Sequence, residues 1–215
     1  IMERLVGSEM CIRDSGDGRP DSPRPGIPKK SHIRFAKELI NDKNNIFLFA
    51  RPGYFIRERG SSEEDRYSSG PRNAIKSTVV NYSWKNFQIL APALKNLRKY
   101  YKPEKLILIG HSGGAYQGGT IHGKVPGLVD INILISCPCD WEIRKKLSNG
   151  KKWETKSQLK ELKKNSPSFN YKDIDLKSLN ILIVGKDDKN TAPGVSEYYY
   201  DLLKKKKLQV KLHII

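Results

Sequence analysis

The stretch KLILIGHSGGAYQGG, Lys105 to Gly119, sets one serine, Ser112, between glycines at Gly110 and Gly114. An apolar run precedes it and a helical segment follows. A strand that turns directly into a helix leaves no room for a β-carbon two residues either side of the turning residue. Gly110 and Gly114 therefore have a steric reason to be glycine. Such a turn lifts the serine hydroxyl clear of the sheet. It also aims the backbone N–H of Gly113, at the helix start, toward charge developing nearby. The chemistry this suits is attack by Ser112 on a carbonyl carbon, with Gly113 N–H stabilising the oxyanion. The bland alternative is a glycine-rich turn that binds an anion or only packs tightly.

The elements around this turn follow from hydrophobic period. Residues 31–42, SHIRFAKELIND, read as a helix with Ser31 as N-cap and Ile33, Ala36, Leu39 and Ile40 on its apolar face. Asn45 to Ala50 is a short apolar run of the buried-strand kind. A long polar loop follows, then a helix over roughly Ala74 to Tyr101 with Trp84, Phe87, Leu90, Leu94 and Leu97 at helical spacing. Further strands are expected at KLILIG, at Ile131–Ser136, at Asn180–Gly185 and at QVKLHII, with helices at 113–124, 156–164 and 194–206. Apolar strands alternating with amphipathic helices specify an α/β fold: a mostly parallel sheet with helices on both faces. Chemistry in such sheets gathers at the C-terminal ends of the strands. Residues 141–179 sit where a small cap or insertion would lie.

Length, charge and cysteines bound the rest. A chain of 215 residues holds one sizeable core. Lys and Arg number 40 against 23 for Asp and Glu, a net charge of +17. The basic residues are spread along the chain without aromatic interleaving, which argues against a nucleic-acid surface. Cys11, Cys137 and Cys139 form neither a disulfide framework nor a zinc set, and suggest a reducing compartment. No apolar run reaches transmembrane length. The opening residues 1–15 contain MCIRDS, Met10 to Ser15, which reads as a translated sequencing adapter, so 16–215 is taken as the domain. The end, LQVKLHII, stops inside an apolar alternation, which suggests an incomplete domain.

Ser112 in its strand–turn–helix context, together with NILIVGKDDKNTAP (Asn180 to Pro193) and ARPGY (Ala50 to Tyr54), resembles the α/β-hydrolase superfamily. Within it the likeness is to serine hydrolases of the esterase and proline-iminopeptidase kind. The resemblance covers residues 16–215 and implies the α/β-hydrolase fold, incomplete here. It implies that Asp188 is the triad acid, with Asp187 as competitor, and that a backbone N–H near Asp17, with Gly18 as neighbouring candidate, completes the oxyanion hole. His111, beside the nucleophile, would line the pocket floor or pack.

The base is the difficulty. The family's order is Ser, Asp, His, and His32, His111 and His122 all precede Asp188. His213, 25 positions after Asp188, lies within the alternation of Val210, Leu212 and Ile214. A strand would hold it short of the loop, so the base is expected beyond Ile215, with His213 taking the role only if no later histidine exists.

The resemblance then implies hydrolysis of a small-molecule ester or amide through an acyl-enzyme on Ser112, with residues 1–215 alone nearly inactive. It implies no metal and no organic cofactor; the dispersed charge and the lack of a transmembrane run argue against nucleic-acid or membrane partners, and a cytoplasmic setting is the default. Trp141, Trp153 and Phe169 are pocket or core candidates. The rivals are a catalytically silent binding protein of the same fold and a binder of acidic polymers.

Overall fold

The computed structural model describes residues 82–147 and 156–215, with short pieces before them at 38–39, 44–47, 49, 55–56 and 66–67. Two residues each of β1 (Phe55–Ile56) and β2 (Arg66–Tyr67) pair antiparallel. Then come α1 (Trp84–Phe87), α2 (Leu90–Tyr101), β3 (Ile107–His111), α3 (Gly113–Lys124), β4 (Ile131–Ile135) and α4 (Trp141–Leu147). After them lie α5 (Lys156–Lys164), α6 (Pro167–Asn170), a 3₁₀ turn (Tyr171–Asp173), β5 (Leu179–Val184), α7 (Pro193–Lys205) and β6 (Gln209–Ile214).

Strands β3 to β6 form one parallel sheet in chain order. The side-chain period of two sorts them onto two faces. Leu106, Leu108, Leu134 and Leu182 face α2, α3 and α7, where they bury against Leu94, Tyr116, Ile121, Tyr199 and Leu203. Ile107, Ile109, Ile131, Ile133 and Ile135 face the other way and meet Leu39, in a helical pair, and Ile46. The expected parallel sheet with helices packed on it is what forms, and β3 is buried on both sides.

Three expectations need correction. Residues 44–47 and 49 join no ladder; Ile46, Phe47 and Phe49 are held by packing on the two cores, with the Phe47 ring 5.1 Å from that of Tyr101. The helix over 74–101 is broken at Gln88 and Ile89, and 74–81 lie outside the described residues. Pro92 explains the break, since its ring would strike the carbonyl four residues back, that of Gln88. Finally, Cys137 and Cys139 are joined by a disulfide. The turn at Pro138 sets their Cα atoms 5.0 Å apart, within bridging range, so the argument from unpaired cysteines to a reducing compartment loses its premise.

Helix α3 is buried from Gly113 to Gly123 although its sequence, GGAYQGGTIHGK, is poor helix material. Its glycines let the 156–173 segment close on it. A β-carbon at Gly119 would lie 2.7 Å from Pro167 Cγ, and one at Gly123 2.8 Å from the Asn170 carbonyl carbon. Polar bonds fasten the same contact: Tyr116 Oη donates to Leu162 O at 2.7 Å, and Thr120 Oγ1 donates to Asn165 O.

His122, also on α3, is buried with Nε2 3.0 Å from Ser178 Oγ. Ser178 Oγ donates to Asp175 O, so the imidazole N–H donates to the serine oxygen. Desolvation pushes the pKa of His122 from 6.5 down to about 4, against the pull of Asp130 and Asp175. A depressed histidine means the unfolded chain binds a proton that the folded chain refuses. The stabilisation from keeping His122 neutral is therefore full above pH 6.5 and lost as pH falls from 6.5 toward 4. We expect unfolding in urea at pH 7 and pH 4 to show about 3 kcal/mol of acid destabilisation from this group. His122→Gln should remove that increment and leave the contribution of the carboxylates.

Candidate active site

Ser112 stands between β3 and α3 with φ 52° and ψ −114°. A non-glycine residue in that region is strained by roughly 1–3 kcal/mol and persists only where its surroundings impose it. Here they do. Ser112 N donates to Ile135 O at 2.8 Å, carrying the β3–β4 ladder one residue past the strand, and Tyr116 N donates to Ser112 O at 3.1 Å, starting the helix. The chain can turn so tightly only because Gly110 lacks a β-carbon. An added one would lie 2.5 Å from the Ala115 nitrogen and closer still to the Gly114 carbonyl.

Gly113 is the first residue of α3, so its N–H has no helical carbonyl behind it and points out at the helix's positive end. Across the ladder Ser136 continues β4 with φ 47° and donates its N–H to Ile183 O at 2.8 Å.

The acidic loop after β5 separates its two aspartates clearly. Asp187 is exposed. Asp188 is half-buried; its N–H donates to Gly185 O at 3.1 Å, and its Oδ1 accepts the N–H groups of Asn190 and Thr191, each at 2.9 Å. Among the described residues no donor reaches Oδ2. The turn thus fixes the carboxylate while leaving one oxygen for a further donor. Sequence reading singled out the aspartate but not these two amides; the signal was the Asp-x-Asn-Thr pattern of an Asx turn.

The sheet register places the histidines. His111, Ile135, Ile183 and His213 form one row across β3, β4, β5 and β6. Three strand spacings of about 4.8 Å put His213 about 14 Å from His111, the residue next to Ser112. Side chains stand roughly perpendicular to a sheet, so His213, exposed on β6, does not meet Ser112. His111 extends the Ile107–Ile109 face. His122 is committed to Ser178. His32, Asp17, Gly18, Ala50–Tyr54 and Trp153 lie outside the described residues. Trp141 is core, its ring 5.2 Å from that of Tyr82, and Phe169 is exposed.

Among the described residues no group of three His, Cys, Asp or Glu could hold a metal ion, and no helix is long and apolar enough to cross a membrane. The chemistry available is a strained serine, a helix-terminal N–H and a half-occupied carboxylate, all at the C-terminal ends of β3 and β5. Gly110→Ala should cost at least about 2 kcal/mol in urea unfolding, because the new methyl meets backbone rather than a yielding side chain.

Residues 43–215 match the family described as the Prolyl oligopeptidase family. No curated protein sequence matches. Among solved structures, the uncomplexed acylaminoacyl peptidase of Pyrococcus horikoshii is 17% identical with a TM-score of 0.64, over 99% of this chain and 33% of that one. A prolyl endopeptidase, from a study of two such enzymes and their inter-domain dynamics, is 12% identical with a TM-score of 0.71, over 99% and 30%. A puromycin-hydrolysing peptidase of Mycobacterium tuberculosis is 11% identical with a TM-score of 0.67, over 100% and 31%. The chain spans about a third of the length of the structures it matches.

Proposed function

We propose, from the premise that this chain belongs to the prolyl oligopeptidase family, that Ser112 is the nucleophile of a serine peptidase acting on small peptides. The family's serine-hydrolase chemistry is that of the α/β-hydrolase superfamily. In this reading Ser112 Oγ attacks the carbonyl carbon and passes its proton to an imidazole. The tetrahedral oxyanion takes the Gly113 N–H, and a second donor near Asp17 would complete the hole. Collapse expels the amine with the imidazole's proton, and water then hydrolyses the acyl-enzyme. Esters are alternative substrates of the same chemistry.

The observation that carries this reading is the conformation of Ser112. A serine forced to φ 52° at the end of a parallel strand, with a helix N–H beside it, is strain kept at the point where attack would occur. Asp188 suits the acid because its spare oxygen can accept an imidazole N–H and hold the ring's tautomer. Ser112 and Asp188 leave strands two spacings apart, about 10 Å, so an imidazole must bridge them. His213 lies in the strand row rather than between them. The reading therefore takes the base from a histidine outside residues 1–215, and residues 1–215 alone turn over almost nothing.

A fluorophosphonate probe on the full-length protein, with every residue its gene encodes, tests this. Covalent labelling should map to Ser112 and vanish in Ser112→Ala. His213→Ala should leave the labelling rate within about twofold, whereas loss of the true base typically costs 10⁴-fold or more in turnover, as an order of magnitude. If His213→Ala abolishes labelling, His213 is the base. If nothing labels, the fold serves as a binding protein and Ser112 only shapes a pocket.

A further inference from the structure

Arg144, on α4, reaches over the acidic loop. Its Nε donates to Asn190 O at 3.2 Å and its Nη2 donates to Asn190 Oδ1 at 3.0 Å. Both bonds fall on one residue, the fork geometry that fixes a partner's orientation as well as its distance. The same Asn190 gives its N–H to Asp188 Oδ1. The guanidinium itself is seated: its central carbon lies 4.5 Å from the centroid of the Trp141 ring, and Trp141 is buried against Tyr82 and Tyr116. Tyr116 belongs to α3, the helix that begins one residue after Ser112.

The start of α4 is held as firmly. Asp140 Oδ1 accepts Ile143 N at 2.9 Å, Asp140 Oδ2 accepts Ser168 Oγ at 2.6 Å, and Arg144 N donates to Asp140 O at 2.9 Å. At its far end, Leu147 packs so closely on α7 that a β-carbon at Gly194 would lie 2.8 Å from Leu147 Cδ1. The loop carrying Asp188 is thus gripped from α4. Arg144 does this without bonding the carboxylate. A direct Arg–Asp pair would occupy the oxygen that an imidazole needs.

We propose that Arg144 is a positioning residue for Asp188, holding through Asn190 the turn whose amides fix Oδ1. The proposal rests on the reading of Asp188 as the acid. Its effect on chemistry is indirect: with the fork lost, the turn samples other arrangements and the carboxylate leaves the bridging position for part of the time. Small displacements of this kind cost roughly ten- to a hundredfold in rate.

The test is a double-mutant cycle in the full-length protein, read by the rate of fluorophosphonate labelling at Ser112 and by amide hydrogen exchange. Arg144→Ala should slow labelling roughly tenfold or more, and Asp188→Asn should slow it far more. In the Asp188→Asn background Arg144→Ala should cost nothing further, because a positioning residue has nothing left to position. A purely structural arginine would cost the same in both backgrounds, and that outcome overturns the proposal. Exchange at the Asn190 and Thr191 amides should quicken at least about tenfold in Arg144→Ala while β3 and α3 stay protected; unchanged exchange at these two amides also overturns it. Should Arg144→Ala unfold, Arg144→Lys carries the test, since it keeps a cation over Trp141 and breaks the fork. If Asp188→Asn labels at the wild-type rate, the assignment of Asp188 fails, and the exchange data still decide whether Arg144 holds the loop.

Discussion

The close approach of Gly110 to the backbone of Gly114 and Ala115 is the constraint on which the rest depends. No other residue type fits at position 110 without moving backbone. With that contact made, the chain has one way to leave β3 and enter α3, and Ser112 takes the strained conformation as a result. The strain is local and its compensation is not. The Ser112–Ile135 ladder bond and the burial of Tyr116, Ile121 and Leu134 hold the turn from both sides. A serine is thereby presented at the end of a strand with a helix N–H next to it, which no flexible loop would keep in place.

The parallel register carries the argument outward from that turn. Since β3, β4 and β5 end level with one another, the residues leaving them emerge along one edge of the sheet: Ser112, then Ser136 with the Cys137–Cys139 bridge, then the loop of Asp188. Each exit is fastened differently. The first is held by glycine contact, the second by a disulfide and by Asp140 at the start of α4, the third by an Asx turn. Exits at the same end of a parallel sheet are what bring residues 76 positions apart in the chain, 112 and 188, to one edge of it.

Much of this was legible in sequence, and where it was not the reasons are physical. Gly110 and Ser112 announced the turn because its steric demand at position 110 admits only glycine. Strands β3, β4 and β5 read as apolar runs because neither of their faces is exposed, β6 read by its alternation, and α3 was bounded correctly at 113–124. The break at Gln88 was missed because Pro92 acts on a carbonyl four residues earlier, so a continuous apolar period concealed it. The disulfide was missed because two cysteines flanking a proline do not show whether the turn brings them face to face. His213 is the instructive case. Its distance in sequence from Asp188 suits a catalytic base, but the alternation of Val210, Leu212 and Ile214 already marked it as a strand residue. The register, which places it in one row with His111, Ile135 and Ile183, adds how far it stands from Ser112.

Helix α3 shows why the site cannot be separated from residues 156–173. A helix with Gly113, Gly114, Gly118, Gly119 and Gly123 among its twelve residues has little propensity to form alone. Each glycine in a helix interior costs about 0.5–1 kcal/mol relative to alanine. What offsets that cost is the contact the glycines permit: Pro167 against Gly119, Asn170 against Gly123, and the buried bonds from Tyr116 and Thr120 to Leu162 and Asn165. The N–H of Gly113 is therefore oriented by a helix whose stability is tertiary. It follows that residues 156–173 act on the turn through packing even where they touch no substrate. A change there would reach Ser112 through the position of α3, the helix that begins at Gly113.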